Sequence, residues 1–160
     1  MCLAVYIASD HPLSLTASDQ SWAALRAEEA VFYPDNPVRL HVSKPFIYSV
    51  GPRDGGCGCA FLFSVSSMEN DEGEYDEVES REGAVVRRGL ADFLSAALQH
   101  QAEVEVFTCC SGDESFPPKH SRRARPTDFI SDRTLFRFGQ LVVVSEQDAE
   151  PGAAPDPNGM

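Results

Sequence analysis

Five cysteines are the residues of this sequence best suited to chemistry. Cys57 and Cys59 form a C-G-C motif, Cys109 and Cys110 are adjacent, and Cys2 lies near the start. Thiolates bind metals, act as nucleophiles and exchange disulfides. Zinc takes about four ligands in a tetrahedron and favours thiolates. The predicted ligand set for zinc or iron is Cys57, Cys59, Cys109 and Cys2.

The ligand set leaves alternatives open. Cys110 could replace Cys109, and His120 could replace Cys2, since imidazole nitrogen also binds zinc. Four cysteines also hold iron–sulfur clusters, but none of the usual cluster spacings occurs here. A plain alternative is that the cysteines are small buried apolar residues with no chemical role.

Two other classes of function compete with metal binding. Cys2 could act as an N-terminal nucleophile once Met1 is removed, with its own α-amine as the base, and the C-G-C pair could support thiol redox chemistry. The chain lacks a glycine-rich phosphate loop, H-E-x-x-H and G-x-S-x-G, so no classical hydrolase or nucleotide-dependent activity is predicted. The last alternative is a non-catalytic protein-interaction module.

The elements that carry the cysteines are predicted strands. Cys2 begins one apolar run, Cys59 begins another, and a third run ends at Cys110. If the third strand is antiparallel to the other two, all five thiols lie at one edge of the sheet. Side chains alternate across a strand, so Cys109 and Cys110 are predicted to face opposite sides.

The remaining pattern predicts an α+β fold. Residues 81–100 predict the main helix, because Val86, Leu90, Phe93, Ala97 and Leu98 form one apolar stripe, with Arg87 on the opposite, polar side. A short helical turn is predicted at 126–132, and the segment 18–33 is ambiguous between helix and strand. Strands are predicted at 2–8, 38–42, 46–50, 59–65, 104–110 and 135–144.

Residues 46–50 and 59–65 are predicted to pair as a β-hairpin around the glycine-rich turn between them. The complete expectation is a single domain over residues 1–145, with a mixed or antiparallel sheet of five or six strands and one main helix packed on one face.

The charge is strongly negative and unevenly placed. The net charge is −12, and residues 69–82 contain eight acids against one base. Residues 69–80 are predicted to be an acidic flexible loop and 146–160 a disordered tail. Four fixed positive charges lie in residues 119–125, interpreted as a surface loop that meets an acidic partner or the acidic loop. Nucleic-acid binding is disfavoured because so acidic a chain repels the phosphate backbone.

The sequence also predicts where the protein resides. No stretch of about 18 apolar residues occurs, so no transmembrane helix is predicted. The apolar N-terminus lacks the basic region of a signal peptide. We therefore expect a cytoplasmic protein with reduced cysteines, in which close cysteine pairs favour metal or redox chemistry over structural disulfides.

Three segments carry a resemblance to other proteins. MCLAVYIASD, KPFIYSVGPRDGGCGCAF and VEVFTCCSGD resemble a group of small bacterial proteins of unknown function that carry a GCGC-type hairpin. The resemblance covers most of residues 1–145 and implies a bacterial cytosolic single domain, without an established activity. It also implies that Cys109, rather than Cys110, is the matching thiol.

Overall fold

The apolar run near the N-terminus forms the central strand of a sheet. β1 (Leu3–Ser9) buries Leu3, Val5 and Ile7 on one side and Tyr6 and Ala8 on the other. A strand buried on both faces has this nearly continuous apolar pattern. The computed structural model describes residues 2–15, 24–31, 35–55, 58–62, 66–69, 75–78 and 81–147.

The described strands form a six-stranded mixed sheet in the order β2-β3-β1-β6-β8-β7. Neighbouring strands are antiparallel, except that β7 and β8 are parallel. A separate antiparallel pair joins β4 (Ser66–Glu69) to β5 (Tyr75–Val78). The other strands of the main sheet are β2 (Leu25–Glu29), β3 (Phe46–Pro52), β6 (Val104–Cys110), β7 (His120–Ala124) and β8 (Gln140–Val144).

One long helix covers one side of the main sheet, which we call the helix face. α1 (Arg81–Leu98) buries Val86, Leu90 and Phe93 in the same cluster as Leu3 and Val5 of β1. A second, four-residue helix, α2 (Asp128–Ser131), contributes Phe129 to this cluster. The predicted α+β class, with one main helix on one face of a mixed sheet, is therefore confirmed.

The opposite side of the sheet, the outer face, has a smaller core. Tyr6, Ile47, Phe107 and Cys109 are buried there together with Val38 from the segment before β3. The backbone N–H and hydroxyl of Ser43 donate hydrogen bonds of 2.8 and 2.7 Å to the carboxylate of Glu105 on β6. The sheet therefore separates two cores, one on each face.

The strand predicted at 38–42 is wrong. Residues Pro37–Leu40 form a 3₁₀ helix that begins with Asn36, whose side chain accepts a hydrogen bond from the N–H of Val38. Proline at the first helical position and asparagine as the cap favour this start. The alternating pattern instead reflects one buried anchor, Val38, between exposed neighbours.

The predicted hairpin between residues 46–50 and 59–65 is also wrong in the described region. β3 pairs with β1 and β2, and Gly58–Phe61 forms a 3₁₀ helix. The apolar residues of this segment serve the core as anchors, since Phe61 is fully buried beneath α1.

The basic run at 119–125 is a strand where a loop was predicted. β7 pairs in parallel with β8, and Ala124 is its buried residue. Arg122 forms an ion pair with Asp132, and Arg123 forms one with Glu103. These pairs balance the arginine charges within the protein.

The elements near the C-terminus and in two intermediate segments match the predictions only in part. The helical turn at 126–132 is confirmed by α2, but the last strand begins at Gln140, because a 3₁₀ helix occupies Arg133–Phe136. β2 lies within the ambiguous segment, and β5 lies within the predicted acidic loop. The flexibility of 69–80 stays a prediction, and residues 148–160 of the predicted tail lie outside the described residues.

Arg87 was predicted to face solvent and is instead fully buried. Its Nε donates to the carbonyl oxygen of Ile130 at 3.2 Å, and its Nη1 lies 3.5 Å from that of Phe61. These carbonyls belong to the last turn of α2 and to the end of the 3₁₀ helix at Gly58–Phe61. A cation stabilises helix ends of this kind because carbonyls there lack intrahelical donors.

None of the described helices combines the length and apolar character required to cross a membrane.

Arg87→Met should destabilise the fold strongly, because it leaves one buried and one half-buried carbonyl oxygen without this donor. We expect the free energy of unfolding in urea to fall by about 2–4 kcal/mol. Arg88→Met is the matched control on the exposed side of the same helix, and it should change stability by less than about 0.5 kcal/mol. Equal effects of the two substitutions would contradict this role for Arg87.

Candidate thiol site at the start of strand β1

Cys59 is held against the first residue of the central strand. The backbone N–H of Leu3 donates a hydrogen bond to Cys59 Sγ over 3.3 Å. Cys59 is half-buried and packs against the helix-face core. The pairing of β3 with β1 ends at Val5, so β3 offers no acceptor to the N–H of Leu3. The sulfur of Cys59, in the 3₁₀ helix at Gly58–Phe61, is the acceptor instead.

Gly58 permits this contact because it has no side chain. A Cβ at residue 58 would lie 2.4 Å from the carbonyl oxygen of Leu3 and 3.3 Å from Val5 Cγ2. A separation of 2.4 Å from a backbone oxygen is a severe clash. The glycine of the C-G-C motif therefore brings the backbone of this segment onto the edge of β1.

Cys2 reaches the same edge from the other side of Leu3. Cys2 is exposed, and its carbonyl oxygen accepts a hydrogen bond of 2.8 Å from Ser111 N. In the β1–β6 ladder Leu3 is the partner of Cys110. Cys2, Cys59 and the end of β6 therefore meet at one edge of the sheet. β6 is antiparallel to β1 as predicted, whereas Cys59 lies in a 3₁₀ helix and not in the predicted strand.

Cys109 reaches this edge but faces the other way. It is 3% exposed and belongs to the outer-face cluster with Tyr6 and Phe107, whereas Cys59 packs on the helix face. This confirms the predicted alternation along β6, where Val104 and Val106 belong to the helix-face core. The structure thus places Cys109 and Cys59 on opposite faces of the sheet.

The other members of the predicted ligand set are not assembled in the described residues. Cys57 lies outside them. His120, the alternative fourth ligand, begins β7, and two strands separate β7 from β1. Within the described parts of the chain, no group of three or more histidine, cysteine, aspartate or glutamate side chains is arranged to hold a metal ion.

A shallow cavity of about 200 Å³ lies beside this edge. Cys2 and Gly58 both line it, which places the cavity next to the thiol segment. Arg26 and Glu28 of β2, with side-chain atoms 3.5 Å apart, also line it, together with Ser49 and Ser111. The cavity is therefore polar and contains both signs of charge.

Glu114 organises the chemistry near Cys109. Its carboxylate accepts hydrogen bonds of 3.0 Å from the hydroxyl of Tyr6 and from the backbone N–H of Gly112. Burial, reinforced by this carboxylate, raises the pKa of the Cys109 thiol to about 12. Burial and then Glu114 also raise the pKa of Tyr6 well above its ordinary value. At neutral pH Cys109 is therefore a protonated thiol, which makes it a poor nucleophile.

Sequence analysis did not single out Tyr6 or Glu114. The available signal was the pair of acids after β6, a position that also fits an ordinary turn. The hydrogen bond between Tyr6 and Glu114 joins residues that are 108 positions apart in the sequence, so no local sequence pattern predicts it.

No protein-family model matches this chain, and neither curated proteins nor solved structures show a significant match to it.

Gly58→Ala should release Cys59 from Leu3. The added methyl group would clash with the Leu3 carbonyl oxygen, so we expect the Leu3 amide to exchange with solvent faster and stability to fall by about 1–3 kcal/mol. Gly55→Ala is the control. Gly55 has φ of 85° and open space around it, so alanine there adds backbone strain of about 1 kcal/mol without touching Leu3. Unchanged Leu3 exchange in Gly58→Ala would contradict the contact.

The protonated state of Cys109 predicts a pH dependence of stability. The unfolded thiol ionises near its ordinary value of about 8.5, whereas the folded thiol keeps its proton up to about 12. The unfolded state therefore releases a proton first, and stability falls as pH rises through this window. Relative to Cys109→Ala, the wild-type protein should lose on the order of 2 kcal/mol between pH of about 8 and about 10.5 in urea titrations. A difference that does not change with pH would refute this.

Proposed function

We propose that the protein binds zinc or iron through a thiolate site at the start of β1, with Cys57, Cys59 and Cys2 as ligands. The observation that carries the proposal is the hydrogen bond from Leu3 N to Cys59 Sγ. This hydrogen bond joins the C-G-C segment, which contains Cys57 and Cys59, to Leu3, the residue that follows Cys2. We leave Cys109 out of the ligand set because it belongs to the core on the opposite face of the sheet.

The backbone donor at Cys59 suits a metal-bound sulfur. An ionised sulfur is a stronger acceptor than a neutral thiol, since hydrogen bonds to charged groups are the stronger ones. Hydrogen bonds to ligating sulfurs also orient the ligands and tune the metal. An N–H from the central strand is rigidly placed for this purpose, because Leu3 is paired with Cys110 in the β1–β6 ladder.

The polar cavity beside Cys2 favours a site with an open position. Three protein ligands and one exchangeable position are the arrangement of catalytic zinc sites, whereas four thiolates close a structural site. A metal held by three thiols here would border the cavity lined by Cys2 and Gly58. Water or a small polar molecule would then complete the coordination.

A cysteine-nucleophile or thiol-redox enzyme is the second candidate. Cys2 is exposed and lines the polar cavity, which is where a reactive thiol would meet a substrate. This candidate requires a thiol that reacts rapidly in metal-free protein, whereas a metal-bound thiolate is protected until a chelator removes the metal.

Metal content tests the proposal directly. Protein purified without a histidine tag or chelator should contain about one equivalent of zinc or iron by elemental analysis. Cys57→Ser and Cys59→Ser should each lose most of this metal. Affinity should fall as pH falls, because the ligating thiols must be deprotonated.

Cys109→Ala is the matched control for these substitutions, since it removes a thiol from the same sheet edge but from the outer face. It should retain the metal of the wild type. Metal far below one equivalent in fresh, reduced wild-type protein would refute the site. A loss in Cys109→Ala equal to that in Cys59→Ser would refute the revised ligand set.

A further inference from the structure

A second cavity lies at the end of β6, where Cys109 and Cys110 line it. It has a volume of about 430 Å³ and shares no lining residue with the cavity beside Cys2. Two of its aromatic residues are unusually open to solvent, Phe116 at 62% and Phe138 at 40%. Clustered apolar side chains in water mark a binding surface.

The walls of this aromatic groove have a distinct composition. Phe116, Phe138 and the pair Pro117–Pro118 supply apolar surface, Lys119 supplies a cation, and Asp113 supplies an acid. Lys119 is held in place by its backbone N–H, which donates to the carbonyl oxygen of Gly139 over 2.8 Å. Grooves lined by aromatic side chains bind proline-containing segments, because a polyproline II helix is preformed and loses little entropy on binding.

The chain carries a segment with the matching chemistry. Residues 155–157 read Pro-Asp-Pro, which places an acid between two prolines. Docked in the aromatic groove, the prolines would cover Phe116 and Phe138, and the carboxylate of Asp156 would lie near Lys119. The segment therefore complements the groove in apolar surface, and its carboxylate has one cation, Lys119, as a partner.

The length of the chain allows this segment to return to the groove. β8 begins at Gln140 beside the groove residue Gly139, and the described chain continues only to Gln147. Gln147 and Gly139 are eight residues apart, so the distance between them is at most the length of eight extended residues, about 27 Å. Pro155 is eight residues beyond Gln147, and an extended chain of that length also covers about 27 Å, which matches the longest return required.

We propose that residues 155–157 of this chain dock into the aromatic groove formed by Phe116, Pro117, Pro118, Lys119 and Phe138. Tethering to β8 raises the effective concentration of the segment to the millimolar range. A proline motif with weak intrinsic affinity therefore suffices. This proposal is independent of metal binding, since the groove and the thiol site have separate walls.

Hydrogen exchange of the full chain, followed by mass spectrometry, tests the docking. Pro155→Gly combined with Pro157→Gly should make segments 111–116 and 137–140 exchange several times faster than in the wild type. Pro151→Gly is the matched control, because it changes a proline of the same segment outside the docked triplet, and it should exchange like the wild type. Equal exchange in all three proteins would overturn the proposal.

Two further measurements identify the occupant. Excess synthetic peptide of residues 148–160 should displace the tethered segment only at millimolar concentration, and Phe116→Ala should abolish the effect of the double substitution. Phe116 is largely exposed, so its replacement leaves the core intact. Protection that grows with protein concentration would show that a second copy supplies the segment and would overturn docking within one chain.

Discussion

The buried guanidinium of Arg87 is the contact on which the rest of the structure depends. It lies in the helix-face core and bonds to carbonyls at the ends of two short helices, Phe61 on one side and Ile130 on the other. Both short helices are too brief to be stable alone. A single donor group from the long helix therefore holds two irregular segments in register with the sheet.

Aromatic packing surrounds this polar contact and excludes water from it. The ring of Phe61 stacks on Phe136 with centroids 5.6 Å apart, and Phe129 meets Phe136 edge to face at 5.7 Å. In such a setting a hydrogen bond to a charged donor is strong, and its loss is costly. The consequence extends to the thiol site, because the helix that ends at Phe61 also carries Cys59.

The sequence predicted those elements whose pattern is local. β1, β6 and α1 follow from apolar runs or from a helical stripe, and the alternation along β6 correctly placed Cys109 on the face opposite Val104 and Val106. The failures have tertiary causes. Gly58–Phe61 turns into a 3₁₀ helix because distant partners, Leu3 and Arg87, receive it. Residues 119–125 contain a strand although they are polar. This strand lies at the edge of the sheet, and its arginines form ion pairs with acids from other segments. Cys59 and Cys109 of the predicted ligand set lie on opposite faces of the sheet, which local pattern does not reveal.

At the edge of β1, Cys59 has a structural role and would also be a ligand in the proposed metal site. Beyond Val5 the ladder with β3 ends, so the N–H of Leu3 needs an acceptor from elsewhere, and the sulfur provides one. Serine at residue 59 would keep an acceptor for this N–H but would lose the thiolate, whereas alanine would lose both. The sheet fixes the position of the Leu3 N–H and therefore of the sulfur bonded to it. In turn, the sulfur satisfies a backbone N–H that would otherwise lack an acceptor. The same contact that completes the edge therefore orients the sulfur toward the stretch of chain that contains Cys2.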